Sequence, residues 1–434
     1  MKKQTKPVIL GGGIAGLSLA YFLDKPSIIL ERDKELGGLC RSYELNGIWY
    51  DIGPHIIFSK YEHVLDLHTS LIETARIRRS NKVFFKGRYV KYPFENDLSA
   101  LDKEDRDLCL HTFLNNPYEE YEPQNMLQFF LKTFGEGITN LYLRPYNEKI
   151  WKFDPAFLDT QMVERIPKPP AQDIIDSAHG KSTEGYTHQL YFHYPKKGGF
   201  QTLIDAYAQK IATKTEIVKP VTITKLQRRR GVWTVTSNRG TWKTDQLLNC
   251  MPLPELFRYI DAPADICKTV EQLRYNSIAI VVIQVKKDTL GNNFAVYVPE
   301  KDIVFHRLSK LNALGPEYCL PKGATTLMME VTYRPGSQLS ELSDKKLISR
   351  VADDLQKIGF AKKKDILDTD IKRCRYEYVV YDVSHRQKVD AVLTYLRSQG
   401  IRCVGRFAEF EYLNSDQVVE RTQRLATELN SQVS

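Results

Sequence analysis

Several features are scarce or missing in this chain. Its seven cysteines (Cys40, Cys109, Cys250, Cys267, Cys319, Cys374, Cys403) are scattered and form no CxxC pair. An odd, unpatterned set argues against a disulfide framework or a zinc site and predicts reduced, mostly buried thiols. The longest apolar run, Ile278-Ala279-Ile280-Val281-Val282-Ile283, is only strand length, so no membrane span is expected. Repeats and low-complexity tracts are missing. The opening MKKQTKPVIL passes from a short basic tag straight into a strand, leaving no room for a cleaved signal segment, and a cytoplasmic location is expected.

What is present is a chain of 434 residues, long enough for two or three domains and a sizeable buried site. The net charge of +9 is spread along the chain rather than gathered in one block, which argues against a nucleic-acid surface. The one local run, Arg228-Arg229-Arg230-Gly231, sits between two alternating segments and predicts a solvated hairpin turn.

Chemistry begins near the start. Pro7-Val8-Ile9-Leu10 reads as a buried strand, Gly11-Gly12-Gly13-Ile14-Ala15-Gly16 supplies G-x-G-x-x-G, and residues 17–23 read as helix. Glycines at these positions let the backbone turn tightly and approach a pyrophosphate resting on the helix N-terminus. A second strand, Ser27-Ile28-Ile29-Leu30, ends at Glu31, at the distance where an acid accepts hydrogen bonds from a ribose. The unit predicts a dinucleotide site built on Gly11, Gly13, Gly16 and Glu31.

Downstream, Glu35-Leu36-Gly37-Gly38-Leu39-Cys40-Arg41-Ser42 resembles the FAD-binding extension of the amine oxidase and protoporphyrinogen oxidase superfamily, which implies cofactor contacts from Gly38 and Arg41. Near the other end, Cys403-Val404-Gly405-Arg406-Phe407 and Tyr412-Leu413-Asn414-Ser415-Asp416 lead into an amphipathic helix with Val419, Thr422, Ala426 and Leu429 on one face. The superfamily closes over its flavin there, implying Gly405, Arg406, Asn414 and Asp416. The alternative for Gly405-Arg406 is a tight turn carrying a surface arginine.

Between these ends the chain resembles UDP-galactopyranose mutases. Tyr50-Asp51-Ile52-Gly53-Pro54-His55-Ile56-Ile57-Phe58 is similar to their Gly-Pro-His-Ile-Phe segment, which implies Gly53, Pro54 and His55 beside the isoalloxazine ring. Lys91-Tyr92-Pro93-Phe94 is similar to the Tyr-Pro-Phe segment, and Leu143-Arg144-Pro145-Tyr146-Asn147-Glu148-Lys149-Ile150-Trp151 to the Arg-Pro-Tyr-Asn-x-Lys-x-Trp signature. Glu164-Arg165-Ile166-Pro167 and Phe305-His306-Arg307 resemble the segments carrying two arginines that clamp the substrate pyrophosphate, a task suited to planar guanidinium forks. Tyr194-Pro195-Lys196-Lys197-Gly198-Gly199-Phe200 resembles the Pro-x-x-Gly-Gly loop, where Gly198 and Gly199 would let backbone reach the flavin. The same resemblance implies Phe94, Tyr142, Asn147, Trp151, Tyr297, Tyr378 and Tyr412 as substrate contacts. Tyr378 and Tyr412 read equally well as core residues with satisfied hydroxyls.

The fold implied is α/β: a Rossmann-like FAD-binding domain with a helical insert and a mixed or antiparallel sheet substrate domain. Expected boundaries are 1–91, 191–270 and 381–434 for the flavin domain, 92–190 for the insert and 271–380 for the sheet. Helical spacing covers 101–114 and 126–134, Gly135 and Gly137 mark a break, and Pro167-Lys168-Pro169-Pro170 stops regular structure. Residues 277–285 and 325–331 read as sheet strands with a helix over 344–357 crossing behind them.

The activity implied is that of an isomerase interconverting pyranose and furanose forms of a UDP-sugar through an N5-sugar adduct of reduced FAD. His55, Arg165 and Arg307 would be its catalytic residues, with a nucleotide-sugar substrate, NAD(P)H as candidate reductant and a role in cell-surface polysaccharide biosynthesis. Two departures stand out. Glu95 follows Tyr-Pro-Phe where eukaryotic-type mutases carry glutamine, and Ala295 stands where a tryptophan is usual. They are the best support for the alternative of an FAD-dependent oxidoreductase of the protoporphyrinogen or amine oxidase type; a non-catalytic nucleotide-sugar binding protein is a third reading.

Overall fold

A computed structural model describes residues 5–166, 168–183 and 190–432. One layer is a five-stranded parallel sheet in the order Ile401–Cys403, Leu247–Asn249, Val8–Leu10, Ser27–Leu30, Thr215–Val218. Val8, Ile9 and Leu10 are buried on both sheet faces, as a central parallel strand covered by helices must be. Helix Ile14–Phe22 packs against Gln201–Ile211 and Ser415–Ser431. Ser18 and Thr422 hydroxyls, 2.9 Å apart, tie the two chain ends together inside that interface. Because the strands are parallel, their carboxyl ends at Leu10, Leu30, Asn249 and Cys403 share one edge, where open α/β sheets bind ligands.

The second layer is a seven-stranded sheet ordered Ile366–Val380, Arg274–Val285, Thr325–Tyr333, Arg307–Lys310, Ala295–Tyr297, Asn81–Phe85, Arg88–Lys91. Its pairs are antiparallel except Ala295–Tyr297 with Asn81–Phe85. Strand alternation sorts the faces. Ala279, Val281, Ile283, Leu327 and Met329 pack on Leu347, Val351 and Leu355 of helix Asp344–Lys357. Ile278, Ile280, Val282 and Met328 belong to the main core on the opposite face.

The insert packs helix Lys103–Leu114 on Met126–Ile138. The expected break at Gly135 is a kink inside one helix: the residue sits at φ 72°, and the chain runs on through a wide turn, Thr139–Leu143, into Arg144–Trp151. The two helices cross so closely there that a Cβ on Gly135 would lie 2.4 Å from the Thr112 carbonyl oxygen.

Arg230 and Gly231, at φ 50° and 82°, close the hairpin of Ile223–Arg229 and Val232–Ser237, as the basic run predicts. The thiols are free, but only Cys40 and Cys109 are fully buried and Cys319 is exposed, which corrects the expectation of a mostly buried set. Pro167 lies outside the described residues. Among the described residues no helix is long and apolar enough to cross a membrane, and no cluster of His, Cys, Asp or Glu could hold a metal.

Gly135→Ala combines a left-handed backbone with a clash against main chain. It should lower stability by roughly 2–4 kcal/mol, read from urea unfolding followed by tryptophan fluorescence. A loss under about 0.5 kcal/mol would contradict this account of the crossing.

Candidate functional site

Between the two sheets and the insert lies a cavity of about 1200 Å³. Ordinary ligand pockets span ~300–1,000 Å³, so this one has room for two ligands.

At its first end the parallel sheet delivers Gly11, Gly13 and Glu31 to the wall. Helix Ile14–Phe22 starts there with no side-chain cap, leaving its first N–H groups open to an anion. Glu31 accepts the N–H groups of Gly12 at 2.6 Å and Asp33 at 2.8 Å, which shapes the loop. Gly16 does not line the cavity. A Cβ there would sit 2.0 Å from the Gly11 carbonyl oxygen, so this glycine serves strand–helix contact. Gly38 and Arg41 are on the wall, with Arg41 held by Asp33 at 3.2 Å and its Nε buried without a partner.

Gly405 and Arg406 complete this part of the wall. Arg406 donates from Nε to the Leu413 carbonyl at 2.7 Å and from Nη1 to the Glu377 carbonyl at 3.0 Å, and lies over the Tyr412 ring at 4.8 Å. Its Nη2 makes no hydrogen bond among the described residues. The uncapped helix end, the buried Arg41 Nε and this pinned guanidinium fit an anionic dinucleotide. Asn414 and Asp416 also line the wall, but their side chains are engaged: Asn414 caps helix Ser415–Ser431 in a capping box with Gln417, and Asp416 accepts the Ser59 hydroxyl at 2.7 Å.

Gly53, Pro54 and His55 occupy the middle. The His55 Nδ1 lies 3.2 Å from the Gly53 carbonyl oxygen. Burial and then the neighbouring Arg406 lower the imidazole to about 4, so it is neutral at physiological pH. Behind this loop, Asp51 accepts the Ser42 hydroxyl at 2.5 Å, the Tyr194 hydroxyl at 2.7 Å and the Phe200 N–H at 3.1 Å, and burial pushes its carboxyl up to about 6. Gly198 and Gly199 belong to that supporting layer and do not line the cavity, contrary to the role the resemblance implies. A Cβ on Gly199 would meet the Ser42 Oγ at 2.5 Å, so packing accounts for the glycine.

Opposite Gly53, Arg307 makes a bidentate ion pair with Glu330, at 2.5 and 2.7 Å. Glu330 is fully buried, and its Oε2 is the atom nearest to a Cβ built on Gly53, at 3.7 Å. Sequence reasoning missed Glu330, although a single acid in the apolar run Thr325–Tyr333 is a usable signal. It also missed Glu377, whose Oε2 is buried without a partner and whose carboxyl burial pushes up to about 7.

The insert end is aromatic. Tyr92, Glu95, Tyr142, Tyr146, Asn147, Trp151 and Tyr297 line it, with Tyr378 and Tyr412 beside Trp151 at 5.5 and 5.7 Å. Phe94 is fully buried behind this wall, stacked on Tyr142 at 4.7 Å, and is not a contact. Much of the Arg-Pro-Tyr-Asn run is wired internally. Asn147 accepts the Trp151 indole N–H at 3.0 Å, and Lys149 donates to the Val298 and Glu300 carbonyls at 2.7 and 2.8 Å. Arg165 ends the short helix Thr160–Arg165, and its side chain lies outside the described residues.

Comparison with known proteins gives several likenesses. A family model for flavin containing amine oxidoreductases matches residues 14–387. A reduced UDP-galactopyranose mutase structure superposes with a TM-score of 0.89 at 24% identity, covering 99% of this chain and 96% of that one. A putative protoporphyrinogen oxidase structure from Exiguobacterium sp. 255-15 gives 0.79 at 19% identity, covering 99% of both. At such identities these two show a shared fold. Coproporphyrinogen III oxidase of Bacillus subtilis (strain 168) is 20% identical over 432 residues, 88% of each chain. Shorter matches to curated proteins, at 47% and 32% identity, span only 53% and 19% of those relatives.

Glu95 offers a direct test of the electrostatics. Burial raises its carboxyl to about 7, so the folded state holds a proton that the unfolded state releases near the ordinary glutamate value. Its contribution to stability is therefore full at low pH and is lost as pH rises from about 4.5 through 7. Relative to wild type, Glu95→Gln should gain about 2–3 kcal/mol of stability between about pH 4 and pH 8, measured by urea unfolding across that range. A pH-independent difference would refute the assignment.

Proposed function

The chain belongs to the flavin containing amine oxidoreductase family, and from that premise we propose that it is an FAD-dependent mutase-like isomerase that interconverts pyranose and furanose forms of a nucleotide sugar. The observation that carries this reading is the meeting of the Gly53–His55 loop, Arg307, Tyr378 and the signature helix Arg144–Trp151 on one cavity. Its partners under this reading are a nucleotide sugar and an NAD(P)H reductant.

Bound in its reduced form, FAD would supply a nucleophilic ring nitrogen for covalent chemistry at the anomeric carbon. The protein's share is position and charge. Gly11, Gly13, Arg41, Gly405 and Arg406 would hold the cofactor. His55, neutral and fixed by the Gly53 carbonyl, adds a polar contact without a charge. Arg307 is oriented by Glu330 through Nε and Nη2, which leaves Nη1 for a diphosphate oxygen, and the Tyr378 hydroxyl, on the same cavity wall, has no hydrogen-bond partner among the described residues. Such donors, fixed before the substrate arrives, stabilise a departing diphosphate without reorganising.

A second reading, an FAD-dependent oxidoreductase of the protoporphyrinogen or amine oxidase type, draws on one observation: Arg307 is already neutralised by Glu330, and Glu95 adds another acid at the insert end.

Chromatography of millimolar UDP-galactofuranose with dithionite-reduced holoprotein should show conversion to the pyranose form, and the oxidised control should show none. Turnover of a reduced substrate by the oxidised protein, with no nucleotide sugar converted, would overturn the proposal. Arg307→Ala should weaken nucleoside diphosphate binding roughly tenfold to a hundredfold; unchanged affinity would remove Arg307 from the diphosphate site.

A further inference from the structure

Glu95 is buried, on the wall of the cavity and unused by the chemistry above. It is 2% exposed and follows Phe94 in a short helical turn. Its main-chain carbonyl accepts the Ser177 hydroxyl at 2.9 Å, and among the described residues its carboxyl is met only by its own backbone N–H. Among the described residues no cation pairs with it. A buried carboxyl left in this state is costly, and a ligand that brings hydrogen-bond donors to it removes that cost.

The order of groups in a nucleotide sugar says which part of the ligand arrives there. With the sugar at Gly53–His55 and the diphosphate at Arg307 and Tyr378, the base falls at the insert end. The walls suit a planar ring: Tyr92 stacks on Tyr297 at 4.7 Å, and Phe94, Tyr142 and Tyr146 form a second near-parallel stack spaced 4.7 and 5.5 Å apart.

Resting on the nucleotide-sugar reading, we propose that Glu95 selects the base, favouring guanine over uracil. A carboxylate only accepts hydrogen bonds. Guanine presents two adjacent donors, N1–H and the 2-amino group, which the two carboxylate oxygens can take together. Uracil presents one N–H between two carbonyl oxygens, which repel the carboxylate. Adenine and cytosine alternate a donor with an acceptor. A glutamine amide at this position would carry one donor and one acceptor, the complement of uracil, so the glutamate changes which base is matched. Burial leaves the free carboxyl near neutrality, and guanine donors would favour its ionised form.

The test is calorimetric titration of GDP and UDP into flavin-loaded protein at about pH 8, for wild type, Glu95→Gln and Glu95→Asp. Wild type should bind GDP about tenfold or more tightly than UDP, on the worth of charge-assisted hydrogen bonds. Glu95→Gln should erase or reverse that ratio, and Glu95→Asp should keep its direction. Flavin absorbance reports that each variant is folded, and if Glu95→Gln loses its flavin the wild-type ratio together with Glu95→Asp decides. UDP bound more tightly by wild type, or a GDP preference unchanged in Glu95→Gln, would overturn selection by Glu95 and leave the nucleotide-sugar reading standing. Binding of neither nucleotide would overturn both.

Discussion

The carboxyl of Asp51 is buried with no cation in contact among the described residues, and the centre of the molecule is arranged around that constraint. Donors must come to it, and they come from Ser42, Tyr194, the Phe200 N–H and the His55 N–H. Satisfying one carboxylate therefore fixes the glycine loop before Phe200 against the strand Ser42–Leu45. It also anchors the end of Ile48–Asp51, from which Gly53-Pro54-His55 departs into the cavity. A buried acid that is fully hydrogen-bonded makes a rigid junction, and a partly satisfied one would be a weak point.

A comparable economy holds in the insert. Lys149 closes two carbonyls of the facing sheet segment, and Asn276 reaches back to the Trp151 carbonyl at 2.5 Å. The helix that presents Tyr146, Asn147 and Trp151 to the cavity is thus latched to the sheet that presents Arg307 and Tyr378. Residues that look like a ligand signature also hold together the two walls between which a ligand would sit. Fold and site share them, which is why a motif of this kind does not by itself reveal a substrate.

The cavity carries many charged groups and holds them near neutrality. Arg307 is matched by Glu330 and Arg406 by Glu377, while burial keeps Glu95 and Glu377 close to protonation and His55 far from it. Uncompensated charge in such a place costs several kcal/mol, so internal pairing is the expected solution. Among the described residues, what remains for a ligand are specific unused positions: the open helix end, three guanidinium nitrogens (Arg41 Nε, Arg307 Nη1 and Arg406 Nη2) and the carboxyl of Glu95.

Features governed by local rules could be read directly from the chain. The strand, glycine turn and helix from Val8 to Phe22, the hairpin at Arg230-Gly231 and the long helix Asp344–Lys357 follow from periodicity and turn chemistry, which act over a few residues. Gly135 was visible as an interruption, but whether a helix ends or kinks there depends on Thr112 in another helix. Glu330 was invisible as a partner, because only the pairing register of two strands sets Arg307 opposite it. The same limit explains Gly16, Gly198, Gly199 and Phe94, which lie one layer behind the wall that their motifs suggested. Side-chain period and backbone freedom belong to the local sequence. Whether a residue faces a cavity or supports the residue that does is decided by packing between segments far apart in the chain, and only the tertiary structure contains that.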